Sequence, residues 1–275
     1  MSAASISGPS GAFTVETPDG ALLQAYSEGQ GPVLLLVSGL GGTAGFWKSN
    51  AATLARSCRV IRFDQRGIAA STRGSAPCTI DQLARDCLSV LDAAGVDRAV
   101  LLGHSTGGCI GQALGAIAPE RLAGLILSAS WLKPSRYMTG LFGARRSILD
   151  ENPQAYAATA VLISYPPVWL EANWGVYEAA IAAAPTSVAA RQVVRERIDA
   201  LLSFDGSETI ASLPMPTLVL GARDDMIVPS FLQEDLAAAL PGSRKILLDN
   251  GGHFFPVSRP DAFSAKIAEW VGELA

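Results

Sequence analysis

Histidine is nearly absent from this sequence, and charged residues and long apolar runs are scarce as well. The 275 residues contain two histidines, His104 and His253, so chemistry that needs an imidazole has two candidates. Charged residues make up 17% of the chain and the formal net charge is −4, which gives no reason to expect a nucleic acid or an anionic membrane as a partner. The longest uninterrupted run of valine, leucine and isoleucine, Val33 to Val37, is too short to cross a bilayer.

Cysteine spacing gives no sign of a metal site or of a disulfide framework. The four cysteines occur at irregular intervals, and a 275-residue chain with 49% apolar residues builds a core that needs no disulfide bonds. Residues 1–13 include no basic residue and no apolar segment of signal-peptide length, so we expect a cytoplasmic protein with free thiols. We also expect no cofactor, no metal and a small-molecule partner. The oligomeric state stays open, a homodimer included.

Short apolar runs that alternate with helical patterns predict the fold class. Residues 12–28 alternate around the turn sequence TPDG and predict a β-hairpin. Further strands are predicted at 33–38, 59–64, 99–103, 122–129, 217–221 and 245–249. Helices are predicted at 46–55, 80–94, 106–117, 231–240 and 262–271, and Thr79 with Gln82 predicts a capping box for the second of these. Strands that are apolar on both faces indicate a mostly parallel sheet with helices on both sides.

Residues 131–212 interrupt this alternation with helical patterns and no good strand. The segment holds three of the five tryptophans, Trp131, Trp169 and Trp174. Ligands of open α/β sheets bind at the carboxyl edge of the strands. We therefore interpret the segment as a lid whose tryptophans shape a substrate pocket, the alternative being that these aromatics form the core of the insertion itself.

The sequence GHSTG at 103–107 matches the pattern G-x-S-x-G between a predicted strand and a predicted helix. A serine at such a sharp turn exposes its hydroxyl at the positive end of the following helix, where an oxyanion is stabilised. Ser105 is therefore the candidate nucleophile. Two backbone N–H groups are needed for the oxyanion, and we expect them from Thr106 and from Leu40 in the glycine-rich sequence SGLGG at 38–42.

A serine nucleophile requires a base, because a free hydroxyl is scarcely ionised at neutral pH. His104 adjoins Ser105 in the turn and points elsewhere, which leaves His253 in the sequence NGGHFFP. The imidazole needs a carboxylate to orient it, and the loop GARDDMIVP after a predicted strand offers two. We favour Asp225, with Asp224 as the alternative, and the chain order Ser, Asp, His fits either residue.

The sequences SGLGG, DQRG, GHSTGG, DDMIVP and GGHFFPVSRPDAF together resemble the α/β-hydrolase superfamily over essentially the whole chain. The resemblance implies an α/β-hydrolase fold, with a mostly parallel eight-stranded sheet, helices on both faces and a helical cap inserted after the sixth strand. The core domain is then 1–130 with 213–275, and the cap is 131–212. The cap sequence YPPVW adds a similarity to the aminoacrylate and carbamate hydrolases of pyrimidine utilisation, and comparable loops occur in 3-oxoadipate enol-lactonases.

Our hypothesis is a serine hydrolase that cleaves a small carboxylic ester, lactone or amide-like acid derivative through an acyl-enzyme. A substrate carboxylate could be held by Arg136, Arg145 or Arg146. Carbamate-type hydrolysis, carbon–carbon bond hydrolysis and perhydrolysis use the same triad and remain alternatives. The non-enzymatic alternative is a receptor that binds its ligand without turning it over.

Overall fold

The computed structural model describes residues 11–274, in which eight strands form one twisted sheet. The strands are β1 (Gly11–Glu16), β2 (Leu22–Glu28), β3 (Val33–Val37), β4 (Arg59–Phe63), β5 (Ala99–His104), β6 (Leu122–Ser128), β7 (Thr217–Ala222) and β8 (Arg244–Leu248). Their order across the sheet is β1-β2-β4-β3-β5-β6-β7-β8. The β1–β2 and β2–β4 pairs are antiparallel and all other pairs are parallel. The predicted fold class is confirmed.

Eleven α-helices accompany the sheet in the described part of the chain. They are α1 (Lys48–Leu54), α2 (Ile80–Ala93), α3 (Thr106–Ile117), α4 (Arg136–Glu151), α5 (Pro153–Ser164), α6 (Pro167–Ala172), α7 (Gly175–Ala182), α8 (Val188–Ser203), α9 (Ser230–Ala238), α10 (Phe255–Ser258) and α11 (Pro260–Glu273). The helix predicted at 46–55 is in fact a 3₁₀ turn, Ala44–Trp47, followed by α1. The four-residue helix α10 was not predicted.

The alternation of side chains along the central strands divides the apolar core into two layers. In β3, Leu34 and Leu36 pack with α1 and α11, whereas Leu35 and Val37 pack with α2 and α3 on the opposite face. All four side chains are fully buried. A strand covered on both faces must be apolar at every position, which is why these strands read as continuous apolar runs.

Helices α4 to α8 lie between β6 and β7, and residues 129–216 contain no strand. We call the segment Arg136 to Ser203 the cap. The entry and the exit of the insertion meet where the Gly206 amide donates to the Leu132 carbonyl at 3.0 Å. The exact domain boundaries at 131 and 212 stay a prediction. Across residues 11–274, no helix has both the length and the apolar character that a membrane crossing requires.

The start of α2 is capped on one side only. The Thr79 hydroxyl accepts from the Gln82 amide at 3.1 Å, as predicted. The predicted reciprocal bond, in which the Gln82 side-chain oxygen accepts from the Thr79 amide, does not form, because the Thr79 amide donates to the Pro77 carbonyl at 3.1 Å. The side-chain amide of Gln82 donates to Asp86 at 3.1 Å.

A buried arginine in the DQRG turn ties this helix to the β1–β2 turn. Arg66 is fully buried and donates to Asp86 at 2.6 and 2.5 Å and to Asp19 at 2.9 and 3.2 Å. These hydrogen bonds hold the pKa of Asp19 well below its ordinary value of 3.8. Because the guanidinium is completely removed from water, its charge and its N–H donors need partners within the protein, and these two carboxylates supply them.

We expect Asp19 to contribute to the acid sensitivity of the fold. Its pKa is lowered in the folded protein, so its contribution to stability is present above pH 3.8 and is lost as the pH falls below that value. The Asp19→Asn variant should have a lower urea midpoint than the wild type at about pH 7 and a shallower decline towards about pH 3. The control Asp92→Asn removes an exposed ion pair with Arg121 and should keep the wild-type decline. An equally steep decline in Asp19→Asn would contradict this assignment.

Candidate active site

Ser105 occupies the single-residue turn between β5 and α3. Its backbone angles, φ 56° and ψ −124°, lie in a region that side-chain-bearing residues rarely adopt. Two hydrogen bonds hold it there, from the Ser105 amide to the Ser128 carbonyl at 2.7 Å and from the Gly108 amide to the Ser105 carbonyl at 2.8 Å. The turn places the serine at the carboxyl end of β5 and at the first turn of α3.

Close backbone contacts explain the glycines around this turn. A Cβ atom on Gly103 would lie 2.1 Å from the Gly107 carbonyl oxygen, and one on Gly107 would lie 2.1 Å from the Val37 oxygen. A Cβ on Gly108 would lie 2.4 Å from the Ser130 side chain. Real Cβ atoms do not approach other atoms this closely, so only glycine allows β3, β5 and α3 to meet here.

Replacement of one of these glycines should therefore be costly. We expect Gly103→Ala to lower the free energy of unfolding by about 1–3 kcal/mol, because the backbone it meets has no freedom to move aside. The control is Gly140→Ala in α4, where no atom lies within 4 Å of the added methyl group. That change should stabilise the protein by about 0.5–1 kcal/mol through helix propensity. Urea unfolding of both variants checks the opposite signs, and two changes of the same sign would contradict the steric account.

His253 and Asp225 meet at the same edge of the sheet. The His253 Nδ1 atom lies 2.9 Å from Asp225 Oδ2, and both side chains are buried. The other carboxylate oxygen accepts from the amides of Ile227 and Val228 at 2.8 Å each. These bonds fix the carboxylate, and the carboxylate in turn fixes the ring of His253.

The neighbouring carboxylate, Asp224, contacts the backbone instead of the imidazole. It accepts from the amides of Gly251 and Gly252 at 3.1 and 2.9 Å. Asp224 therefore braces the loop that carries His253, and of the two aspartates only Asp225 contacts the histidine.

The second histidine lies beneath the serine turn. His104 Nδ1 is 3.0 Å from the Ser128 hydroxyl, and its ring stacks on Phe46 with centroids 5.1 Å apart. Complete burial, and secondarily the nearby His253, lowers the pKa of His104 well below its ordinary value. His104 is therefore a neutral part of the core that supports the turn.

The glycine-rich loop after β3 is held by two buried polar side chains. Arg197 of α8 donates from Nε to the Leu40 carbonyl at 2.7 Å and from Nη2 to the Gly39 carbonyl at 3.0 Å. Gln65 donates to the Ser38 carbonyl at 2.7 Å and accepts from Arg197 at 2.5 Å. The amide of Leu40 donates to no acceptor in the region 11–274, and Thr106 as first residue of α3 has no intrahelical acceptor.

Sequence reasoning did not find Arg197, although a signal existed. Arg197 falls on the apolar face of α8 together with Val194, Ile198 and Leu201, at the spacing of one helix face. A charged residue at such a position must find partners when it is buried. Burial lowers the pKa of Arg197, and its partners are carbonyl oxygens where a carboxylate would be usual.

A cavity of about 350 Å³ lies between the cap and the sheet. Ser105, His253 and Leu40 line it from the sheet side, and no hydrogen bond joins the Ser105 hydroxyl to His253 in this structure. Besides His104 and His253, its aromatic and charged side chains are Phe46, Phe142, Arg145, Tyr156 and Phe254. The size is at the lower end of the range for small-molecule sites, about 300–1,000 Å³.

The three tryptophans expected in the pocket lie elsewhere, which corrects that expectation. Trp131 is completely buried in the core beneath the cap, before α4 begins. Trp169 stacks on Tyr165 and Trp174 stacks on Tyr177, with centroids 4.6 and 4.4 Å apart. Trp169 belongs to the packing of α6 and α7, whereas Trp174 is 43% exposed at the start of α7. In the described chain the cavity takes its aromatics from other positions.

The three candidate arginines are separated by the geometry of α4. Arg145 lines the cavity and is 6% exposed. Arg146, the next residue, points to the outer surface of the cap and pairs with Asp199 of α8. Arg136 is exposed at the start of α4.

Comparison with known proteins agrees with the fold. The model of the family described as alpha/beta hydrolase fold matches residues 32–260. The chain therefore belongs to the alpha/beta hydrolase fold family, and it is an enzyme of the hydrolase type.

Curated relatives give a finer similarity. The protein of Azorhizobium caulinodans named "Putative carbamate hydrolase RutD" is 38% identical over 247 residues, which span 90% of this chain and 93% of the relative. A protein of the same name from Cronobacter sakazakii is 34% identical over 247 residues, or 89% of this chain and 92% of the relative.

Solved structures agree with the architecture. A hydrolase from Pseudomonas aeruginosa is 29% identical with a TM-score of 0.84, and the alignment covers 95% of this chain and 98% of that one. An enol-lactonase from Burkholderia xenovorans has a TM-score of 0.82 at 24% identity, over 92% of this chain and 97% of that one, which supports the fold alone.

Proposed function

We propose that this protein is a serine hydrolase of small carboxylic esters, lactones or amide-like acid derivatives, with Ser105, His253 and Asp225 as its catalytic triad. One observation carries the proposal. The strained turn of Ser105 and the imidazole of His253, which is paired with Asp225, open into one small cavity beneath the cap.

The steps follow from the roles of these groups. Ser105 Oγ attacks the substrate carbonyl carbon while His253 takes its proton, and Asp225 stabilises the resulting imidazolium. The tetrahedral intermediate collapses as the bond to the leaving group breaks and His253 protonates that group. Water, activated by the same histidine, then attacks the acyl-enzyme and releases the acid. The absence of a Ser105–His253 hydrogen bond is compatible with this mechanism, because such contacts tighten when substrate binds.

The amides of Leu40 and Thr106 are the oxyanion donors in this proposal. In a planar trans peptide the carbonyl of one residue and the N–H of the next point in opposite directions. Arg197 holds the Gly39 carbonyl on the cap side, so the Leu40 N–H is directed away from the cap helix. Arg197 is therefore a positioning residue, because it orients a donor without contacting the reacting atoms.

Among acid derivatives we propose carbamate-type hydrolysis first. The relatives that align over about nine-tenths of this chain bear the name carbamate hydrolase. A panel of a carbamate, aminoacrylate, an enol-lactone and p-nitrophenyl esters, ranked by kcat/KM, tests the choice. A higher kcat/KM for simple esters than for the carbamate and aminoacrylate would contradict it.

Fluorophosphonate labelling tests the triad directly. The wild type should form one covalent adduct on Ser105, Ser105→Ala should form none, and His253→Ala should react far more slowly.

Asp225→Asn should lower kcat by about 10³- to 10⁴-fold, because the imidazolium loses its counter-charge. The matched control Asp224→Asn keeps an acceptor oxygen for one of the two amides, Gly251 or Gly252, and does not touch the partner of His253, so it should lose less than about 10-fold. Equal losses in the two aspartate variants, or a labelling rate unchanged in His253→Ala, would contradict the triad. Stoichiometric binding of a ligand without labelling or turnover would support a receptor.

The role of Arg197 is tested by separating kcat from KM. Arg197→Met should lower kcat by about 10- to 100-fold with a smaller effect on KM, because the oxyanion donor acts in the transition state. Arg197→Lys should recover part of the loss, since an ammonium reaches one of the two carbonyls. The control Arg195→Met on the same helix removes a surface pair with Asp150 and a hydrogen bond to Gln192, both away from the cavity, and should leave kcat unchanged. An Arg197→Met protein with lower stability and wild-type kcat would show a merely structural role.

A further inference from the structure

We propose that Arg145 forms a binding subsite for an anionic group, so that the preferred substrates are small acid derivatives that carry a carboxylate in addition to the bond that is cleaved. The reacting bond in this inference rests on the proposed function, whereas the anion subsite rests on Arg145 and its surroundings alone.

Three arginines of the described chain are more than nine-tenths buried, and their partners differ. Arg66 has the carboxylates of Asp19 and Asp86. Arg197 has two backbone carbonyls and a glutamine. Arg145 forms no ion pair and donates no hydrogen bond to any residue from 11 to 274, and its Nε atom is buried without an acceptor.

Aromatic rings hold the Arg145 guanidinium in place without using its hydrogen-bond donors. The guanidinium carbon lies 4.6 Å from the ring centroid of Tyr156 and 5.5 Å from that of Phe142. A cation over an aromatic face is attracted by the ring quadrupole. Because the Arg145 N–H groups donate to no residue from 11 to 274, they remain available for the two-pronged bond that a carboxylate accepts.

The charge in the cavity has no internal compensation. Among the residues that line the cavity in the described chain, Arg145 is the one with a permanent charge, and no aspartate or glutamate lines it. A buried cation without a counter-charge is unfavourable. The fold supplies two carboxylates at Arg66 and three neutral acceptor oxygens at Arg197, whereas Arg145 has neither in the described chain. A ligand that brings its own anion removes this cost on binding, and a neutral ligand does not.

The position and size of the cavity define the substrate further. Arg145 from α4 and Ser105 from the sheet edge line the same cavity of about 350 Å³. A substrate that reaches both must be short, with a carboxylate at one end and the reactive carbonyl towards the other. The aromatic walls contact the carbon chain between them.

Paired substrates of nearly equal shape test the subsite by activity. Monoethyl succinate and ethyl butyrate differ by a carboxylate on the acyl side, and acetoxyacetate and propyl acetate differ by one on the leaving-group side. The wild type should prefer the anionic member of at least one pair, measured as kcat/KM by titration of the released acid. Arg145→Met should lower that preference by about 10- to 100-fold and leave the neutral member within about 3-fold, the usual effect of a charged hydrogen bond.

The adjacent arginine provides a matched control. Arg146→Met changes the same residue type on the same helix, but Arg146 pairs with Asp199 outside the cavity. This variant should leave kcat/KM unchanged for both substrates of each pair.

Arg145→Met should also keep or raise the melting temperature, because it removes a buried charge that has no partner in the free protein. Arg66→Met should lower the melting temperature.

A binding measurement separates this inference from the proposed function. Succinate and neutral succinamide are titrated calorimetrically into Ser105→Ala and into the double variant Ser105→Ala/Arg145→Met. Arg145-dependent binding of succinate with no hydrolysis of any ester by the wild type would overturn the proposed function and support the subsite. Ester hydrolysis without anion preference, or an equal loss for both members of a pair in Arg145→Met, would overturn the subsite and leave the hydrolase mechanism intact.

Discussion

The close approach of three backbone segments around Ser105 is the constraint on which the site depends. A Cβ atom on Gly103 or on Gly107 would lie 2.1 Å from a backbone carbonyl oxygen, which is too close for any side chain. This contact brings the first turn of α3 against the ends of β3 and β5, which leaves no room for a longer connection than one residue. Ser105 absorbs the resulting strain in its own backbone, at a cost of order 1–3 kcal/mol. The same geometry leaves the Thr106 amide without an intrahelical acceptor and places the serine at the carboxyl end of β5.

The cap is coupled to the core through arginine side chains as well as through apolar packing. The buried Arg197 reaches from α8 to the loop after β3, and the partly exposed Arg73, between β4 and α2, pairs with Glu196 of the same helix. The loop beside Ser105 is therefore shaped from both the core and the cap. A buried arginine is well suited to this task, because its rigid fork satisfies several carbonyls at once and stays charged in nearly every environment.

Much of the fold could be predicted because its signals are local. The helix predicted at 106–117 has those bounds in the structure, and the strands at 33–38 and 99–103 agree within one residue at each end. The errors also have physical causes. The predicted capping box is incomplete because the Thr79 amide donates to the Pro77 carbonyl, while the Gln82 side chain is held by Asp86, which Arg66 orients. The pocket tryptophans were misplaced because composition reports that a segment is aromatic and says nothing of which helix faces the cavity.

The amino-acid sequence by itself determined the order of strands and helices, the serine turn and the short list of partners for it, since two histidines leave little choice. Those features depend on residues near one another along the chain or on simple counting. Only the tertiary structure decided that Asp225 and not Asp224 contacts His253, and that Arg145 and not Arg146 lines the cavity. In each pair the residues are adjacent in sequence and chemically alike, so local pattern cannot separate them. What separates them is the direction of each side chain relative to elements that are distant along the chain and meet it only in the folded protein.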